Sequence, residues 1–408
     1  MNTEILIIGG GAAGMMCAVQ AAWLGHEVIV LEHEKQPCRK LNITGKGRCN
    51  VTNNCDVQTV MANIPRNARF LFSALSRFTP ADTMAFFESL GIELKTERGN
   101  RVFPVSDRAQ DISGALINAA KDAGVRIIHD EARSLIIENG AVRGVKAKNA
   151  EYFAERVVVA AGGLSYPKTG STGAGYALAR QAGHTITECT GSLVPVELCG
   201  NECAQAMGLS LKNCGLSVSS EQTGREIFSE QGEMLFTHFG MSGPLVLSAS
   251  AHLTDIAGGK YVFSIDLKPA LDEKKLDERI LRDFADIPNR DFDNSLGRLL
   301  PASIIPVIIK RSQIPPAKKV NQITREERRR LVQAIKALTF TVKGLRPVEE
   351  AIITRGGVEV TELSPKTMES KLVKGLHFIG EVIDADAYTG GFNLQIAWST
   401  AYAAATAF

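Results

Sequence analysis

Residues 4–14 read Glu4-Ile5-Leu6-Ile7-Ile8-Gly9-Gly10-Gly11-Ala12-Ala13-Gly14. The short β-branched and aliphatic run has the composition of a strand buried on both faces of a parallel sheet. The turn behind it satisfies G-x-G-x-x-G and opens a helical stretch, Ala12 to Leu24, rich in Ala, Met and Leu, which Gly25 stops. His26 to Glu32 (HEVIVLE) then reads as a second buried strand ending in an acid. Gly9 permits the tight turn, Gly11 lets a pyrophosphate approach the backbone, and Gly14 lets helix and strand pack closely. The helix start presents unpaired N–H groups and partial positive charge to the phosphates. Glu32, about 20 residues past the glycines, can accept hydrogen bonds from ribose hydroxyls. A glycine-rich turn without a ligand accounts for the glycines alone. It does not account for strand, turn, helix, strand and acid in that order.

Beyond the second strand comes Arg39-Lys40-Leu41-Asn42-Ile43-Thr44-Gly45-Lys46-Gly47-Arg48-Cys49-Asn50-Val51-Thr52-Asn53. A nicotinamide dehydrogenase continues here into ordinary helix and strand. A loop dense in glycine, hydroxyl, amide and base is suited instead to wrapping a longer cofactor, FAD. Its amides and cations can meet the pyrophosphate, and Thr44 to Asn50 can lie along the ribityl chain and ring edge. Segments from Gly124 to Val145 read as a small antiparallel excursion. Arg156 to Gly163 (RVVVAAGG) is a further buried strand ending in small residues, and Leu376 to Glu381 (LHFIGE) is another, with Asp384 and Asp386 beyond it. Tyr388-Thr389-Gly390-Gly391-Phe392-Asn393-Leu394-Gln395 opens a last Ala-rich helix. A helix start facing the flavin N1/C2=O edge stabilises the charge that appears there on reduction.

The bulk numbers agree with this reading. The 408 residues suit two or three compact units, with 45% hydrophobic and 22% charged side chains. A net charge of +2 gives no electrostatic reason to expect nucleic acid or a membrane as partner. The basic run Arg325 to Arg330 (REERRR) reads as a solvated helix face. No signal peptide or spanning segment is visible, and eight unpatterned cysteines suggest reduced thiols in a cytoplasm. Cys199, Cys203 and Cys214 lack a second ligand pair at zinc spacing, so no metal is expected.

At several long motifs the chain resembles the bacterial NAD(P)/FAD-dependent oxidoreductases that include aminoacetone-oxidase-like and 3-dehydro-bile acid reductase-like flavoproteins. They are GGGAAG (9–14), RKLNITGKGRCNVTN (39–53), RVFPVSDRA (101–109), VVVAAGGLSYPKTGSTGAGYALA (157–179), LFTHFGMSGP (235–244), RGGVEV (355–360), PKTMES (365–370) and GEVIDADAYTGGFNLQIAWS (380–399). The resemblance implies an α/β fold: a glutathione-reductase-like Rossmann FAD-binding domain with an inserted β-rich domain and a helical subdomain. It implies FAD contacts at Gly11, Ala13, Gly14, Glu32, Arg39, Lys40, Thr44, Gly45, Gly47 and Asn50. On the later strands and loops it implies Ala161, Gly162, Gly380, Asp384, Gly391 and Asn393. Their neighbours Gly9, Ala12, His33, Leu41, Ala132, Gly163, Glu381, Phe392 and Leu394 complete the expected set. Two departures stand out: Ala-Ala-Gly-Gly (160–163) replaces the more usual Ala-Thr-Gly-Gly, and Asp-Ala-Asp-Ala-Tyr (384–388) replaces Asp-Val-Asp-Gly.

Composition divides the chain into 1–191 (FAD-binding), 192–268 (β-rich insert), 269–336 (helical), 337–354 (return through the β-rich part) and 355–408 (FAD-binding). The isoalloxazine carries the redox chemistry, and the protein places the substrate against N5. Candidate pocket residues are Arg48, for a carboxylate or enolate oxygen or else the flavin phosphate, and Lys366, a cation near the ring or a plain loop lysine. Tyr388 can serve as proton donor, while His238 reads more readily as a structural hydrogen-bonder. Cys49 and Cys55, at C-x5-C, are one residue longer than the redox pair of disulfide reductases. The turn Gly170 to Gly175 brings another helix start to flavin or substrate. The leading expectation is hydride transfer between flavin N5 and a small unsaturated or keto substrate, steroid-like or similar, with NAD(P)H as a transient donor. The protein is expected to act as a monomer or homodimer. An oxidase of small amines such as aminoacetone, using dioxygen, and a flavin-binding protein that recognises a partner or RNA are the competing readings.

Overall fold

A computed structural model describes residues 1–253, 256 and 259–408, in two units: Met1–Ser192 with Val348–Phe408, and Leu193–Pro347. In the first unit, β1 (Asn2–Ile8) pairs in parallel with β2 (Val28–Glu32), Ile8 opposite Leu31. Both strands are almost wholly buried because each face of the sheet is covered. Ile5 and Ile7 face a core shared with α1 (Ala12–Trp23), and Leu6 and Ile8 face the core on the other side. This is the double coverage that near-continuous apolar strands require.

Of the segments after Gly124, only part is antiparallel. β3 (Arg126–His129) extends the parallel sheet beside β2, whereas β4 (Ala132–Glu138) and β5 (Ala141–Ala147) form the hairpin. The alternation in RIIH does not distinguish the two pairings; the helix Ala109–Asp122 before it supplies the crossover that a parallel strand needs. β6 (Glu151–Val159) returns beside β1, Ile8 opposite Val159. The sheet order is β3-β2-β1-β6-β5-β4, and β13 (Leu376–Phe378) pairs in parallel with β6.

The segment 39–47 also differs from expectation. It is not a loop but a kinked helix, α2 (Arg39–Gly47): helical at its start, extended at Thr44, then left-handed at Gly45 and Lys46. The last helix of the unit, α5 (Phe392–Ala405), is buried along nearly its whole length. Trp398 is fully buried there and donates its indole N–H to the Val51 carbonyl at 2.9 Å.

In the second unit six strands close into a barrel. They are β7 (Val196–Leu198), β8 (Ser210–Ser220), β9 (Glu226–Phe236), β10 (Gly240–Ser242), β11 (Tyr261–Asp266) and β12 (Leu338–Leu345), ordered β7-β10-β9-β8-β11-β12. Along β12 the inward residues Leu338, Phe340 and Val342 alternate with outward ones, the period a barrel wall imposes. α4 (Arg325–Lys336) starts at a capping box between Thr324 and Glu327. It packs Leu331, Val332 and Ile335 into the same core as Phe263 and Ile265 of the barrel. Among the described residues no helix is long and apolar enough to cross a membrane.

Candidate cofactor cavity

The first unit holds a cavity of about 1430 Å³, counting its open mouth. Three helices begin on it, and none has a capping side chain: α1 behind Gly11, α3 (Ala174–Gln181) behind Gly173, and α5 behind Gly391. The first-turn N–H groups of a helix have no partner inside the helix and need one from outside. Here Gly11 with Ala12 and Ala13 at the start of α1, Thr172 and Ala174 around the start of α3, and Asn393 and Leu394 of α5 line the cavity. Each helix start carries roughly half a positive charge. Three such ends converging on one space fit an extended, doubly charged pyrophosphate ligand.

The glycines of the first turn divide their work. A Cβ at Gly14 would lie 1.9 Å from the Gly9 carbonyl oxygen, so this residue sets the helix–strand packing and does not line the cavity. A Cβ at Gly11 would meet nothing within 4 Å, because it would enter the open cavity. Gly9 lines the cavity. Gly391 lies against Thr52, whose carbonyl would be 2.4 Å from an added Cβ, and so brings the start of α5 in close without touching the cavity itself. Phe392 also lies outside the lining and is buried in the core.

At one end Glu32, its neighbour His33 and Ala132 line the cavity, with Asp130 and Glu131. The Glu32 carboxylate accepts the Gly10 N–H at 2.6 Å and the Glu34 N–H at 2.8 Å. These bonds fix the side chain and leave further lone pairs for ribose hydroxyls. From α2, Arg39, Lys40, Leu41 and Thr44 line the wall, and Arg39 pairs with Glu34. Beyond Thr44 the chain turns away. Gly45 packs against Asn50 and Phe103, and Gly45, Gly47 and Asn50 lie outside the lining, although Asn50 Oδ1 is buried with no hydrogen-bond partner among the described residues.

Ala161, Gly162, Gly380 and Glu381 form the middle of the wall. Glu381 accepts Lys40 Nζ at 2.7 Å on one oxygen, and Ser165 Oγ and the Thr354 N–H, each at 2.9 Å, on the other. Lys40 also donates to Ser165 Oγ at 2.5 Å. Gly163 sits behind this knot: a Cβ there would be 2.3 Å from Thr354 Oγ1 and 2.8 Å from Glu381. Its smallness makes room for the acid, and it does not touch the cavity. Ser165 lies within the motif at 157–179 but was not singled out as a site residue, because its partners Lys40 and Glu381 are distant in the chain. The turn read at 170–175 does reach the cavity, through Gly170, Ser171 and Thr172.

Asp384 points away. Ala385 lines the cavity, while Asp384 bonds Arg66 at 2.6 Å and the fully buried Asp386 bonds Ser192 Oγ at 2.6 Å and lies 3.6 Å from Arg66. Arg355 is the second cation of this group. Burial pushes its guanidinium below its ordinary pKa, opposed by Asp386, and Tyr388 and Asp384 act on it in the same sense as Asp386. Tyr388 lies outside the lining of the cavity and donates its backbone N–H to the Asn63 carbonyl at 2.9 Å. Neither arginine was singled out from sequence, since each stands alone in its local stretch and only folding brings them to one loop.

Arg48 is not brought to the cavity. Its guanidinium bonds Glu97 and Asp107, both at 2.5 Å, and lies 4.1 Å over the Phe103 ring. Lys366 is exposed, and its carbonyl accepts from Arg77. His238 is an exposed residue of the second unit, edge-on to Phe239. Cys49 is buried and Cys55 half-buried, and both thiols are free.

The HI0933-like protein Rossmann-domain family matches residues 3–407. The chain is 30% identical over 413 residues to the 3-dehydro-bile acid delta(4,6)-reductase of Clostridium scindens, covering 99% of this chain and 98% of that protein. It is 33% identical over 408 residues to the ribosomal RNA dihydrouridine synthase of Haemophilus influenzae, covering 99% and 98%, and 32% identical over 412 residues to that of Escherichia coli, covering 98% and 97%. Among solved structures, the 3-ketosteroid delta1-dehydrogenase of Sterolibacterium denitrificans shares the fold, with TM-score 0.53 and 14% identity over 100% of this chain and 99% of that one. The chain belongs to the HI0933-like Rossmann-domain family and, with it, to the FAD-dependent oxidoreductases.

Proposed function

We propose that this protein is an NAD(P)H-linked reductase that saturates a carbon–carbon double bond conjugated to a carbonyl group. The observation that carries the reading is the full-length similarity to proteins named for two reactions with that chemistry in common. A delta(4,6)-reductase acting on a 3-dehydro steroid and a synthase making dihydrouridine both saturate a ring bond in conjugation with a carbonyl. When bound, FAD supplies the hydride at N5. The chain's own residues hold the dinucleotide on three helix ends, fix its ribose with Glu32, and set Lys40 and Glu381 along the wall. Tyr388, beside the Arg355 cation, is the group we assign to deliver the proton to the carbon that does not receive hydride.

Anaerobic mixing tests this. NAD(P)H is expected to bleach the bound flavin, and a conjugated enone to restore its colour. Bleaching by small amines alone, with peroxide formed on admitting air, would establish the oxidase reading instead. Tyr388→Phe is expected to leave bleaching by NAD(P)H intact and to slow the enone step by about 100-fold, within the usual worth of a general acid. Equal loss in both half-reactions would remove Tyr388 from that role. A second reading, that the substrate is a uridine within ribosomal RNA, rests on the 32% and 33% identities over nearly the whole chain.

A further inference from the structure

The second reading requires the protein to grip a polyanion, and the net charge of +2 offers no general attraction. Any grip must be local. α4 carries Arg325, Arg328, Arg329 and Arg330, and the structure separates them by task. Arg328 is turned inward and bonds Asp277, while Glu327 is occupied by Lys318 at 2.7 Å. Arg325 and Arg329, one helical turn apart, are exposed and have no ion pair among the described residues. Among the described residues Arg330 donates only to the Ser312 carbonyl, at 3.1 Å.

Arg329 and Arg330 line a groove with Arg311, Gln313, Gln333 and Thr339, whose acidic wall residue is Glu326. Lys310 and Arg311 at its rim share Glu202, at 3.2 and 2.5 Å. Four basic groups therefore face this groove and its rim against two acids, and Arg325 lies one turn before Arg329 on the same helix. Like charges one turn apart weaken a helix unless something offsets them. Guanidinium groups are the side chains best shaped for phosphate oxygens.

We propose that this face of α4, with the Arg311 groove beside it, receives the phosphodiester backbone of an RNA substrate. The proposal rests on the RNA reading of the function. Such contacts position a nucleic acid without reading its sequence, and they release counterions, so affinity must fall with salt.

The test uses the full-length FAD-loaded protein and a fluorescently labelled single-stranded ribosomal RNA fragment, followed by anisotropy from about 50 to 200 mM salt, where such binding is sensitive. Arg325→Glu combined with Arg329→Glu is expected to weaken binding at least tenfold and to reduce the salt slope by about 1.4, at roughly 0.7 per single-strand phosphate contact. Arg325→Gln with Arg329→Gln should reduce the slope similarly with a smaller loss of affinity. The flavin spectrum and bleaching by NAD(P)H should be unchanged in both variants, because they lie in the second unit and outside the cofactor machinery. RNA binding equal to wild type in both variants overturns the surface and leaves the RNA reading standing. No RNA binding by the wild type, with bleaching and enone reduction intact, overturns both and leaves the reductase.

Discussion

Gly11→Asp separates cofactor binding from folding. Gly11 is the N-cap of α1 with φ −77° and ψ −168°, an extended conformation open to any residue, and a Cβ there meets nothing within 4 Å. Aspartate is among the best N-cap residues, and its oxygen can accept a first-turn N–H that now has no side-chain partner. With the helix dipole, the substitution should stabilise the cofactor-free protein by about 0.5–1 kcal/mol. The same carboxylate stands where the pyrophosphate must lie. A unit charge about 5 Å from a phosphate charge, at an effective dielectric near 20, costs about 3 kcal/mol, on the order of a 150-fold loss of affinity. Lost N–H donors add to this. FAD titration followed by flavin fluorescence, beside urea unfolding of the cofactor-free protein, reads both quantities. Unchanged FAD affinity would refute the placement of the dinucleotide on α1. A marked loss of stability would refute the N-cap argument.

Other consequences follow from single side chains. Gln395, fully buried at the start of α5, accepts from Thr52 and Thr83 and donates to the Phe78 carbonyl and Ser399. Gln395→Leu should cost about 3 kcal/mol in urea unfolding, from polar partners left unpaired; a change below about 1 kcal/mol would contradict that bookkeeping. Burial pushes the Cys49 thiol up to about 12 and Cys55 to about 11, so a thiol reagent at mild pH should label the exposed Cys199 first and reach Cys49 only on unfolding. Rapid labelling of Cys49 in the native protein would reopen the redox-pair reading. His184 lies buried between Glu362 at 2.9 Å and Ser370 at 2.7 Å, and burial holds its imidazole below the ordinary value against the pull of Glu362. Its contribution to stability is complete above the unfolded pKa, about 6.5, and is lost as pH falls through the folded value. His184→Gln should flatten the fall in stability between about pH 7 and 5; an unchanged slope would exclude His184 as its source.

The nucleotide-binding half was legible because its signals are local. Strand, glycine turn, helix and terminal acid lie within residues 4–32, and the buried strand at 156–159 and the Gly391 helix entry announce themselves in short windows. The region 39–53 was legible in composition but not in shape: its glycines suggested a loop, yet residues before Thr44 wind into helix and carry the cavity contacts. Arg48 illustrates the limit. A cation in a cofactor motif invites a catalytic role, but Glu97 and Asp107, about 50 and 60 positions away, claim it. The same non-locality hid Ser165, Arg66 and Arg355, whose partners lie 216 residues away for Ser165 and 318 for Arg66. The Arg325 to Arg330 run was read as a uniform solvated face. Folding instead turns Arg328 inward to Asp277 and leaves Arg325 and Arg329 without an ion pair among the described residues, a distinction that helical spacing alone does not make.

The most direct measurement is equilibrium titration of cofactor-free protein with FAD. One tightly held FAD per chain, quenched on binding and weakened on the order of 100-fold by Gly11→Asp, is the predicted result. Protein that stays colourless in excess FAD, or takes it up equally well with aspartate at position 11, would contradict the account of three helix ends sharing one dinucleotide.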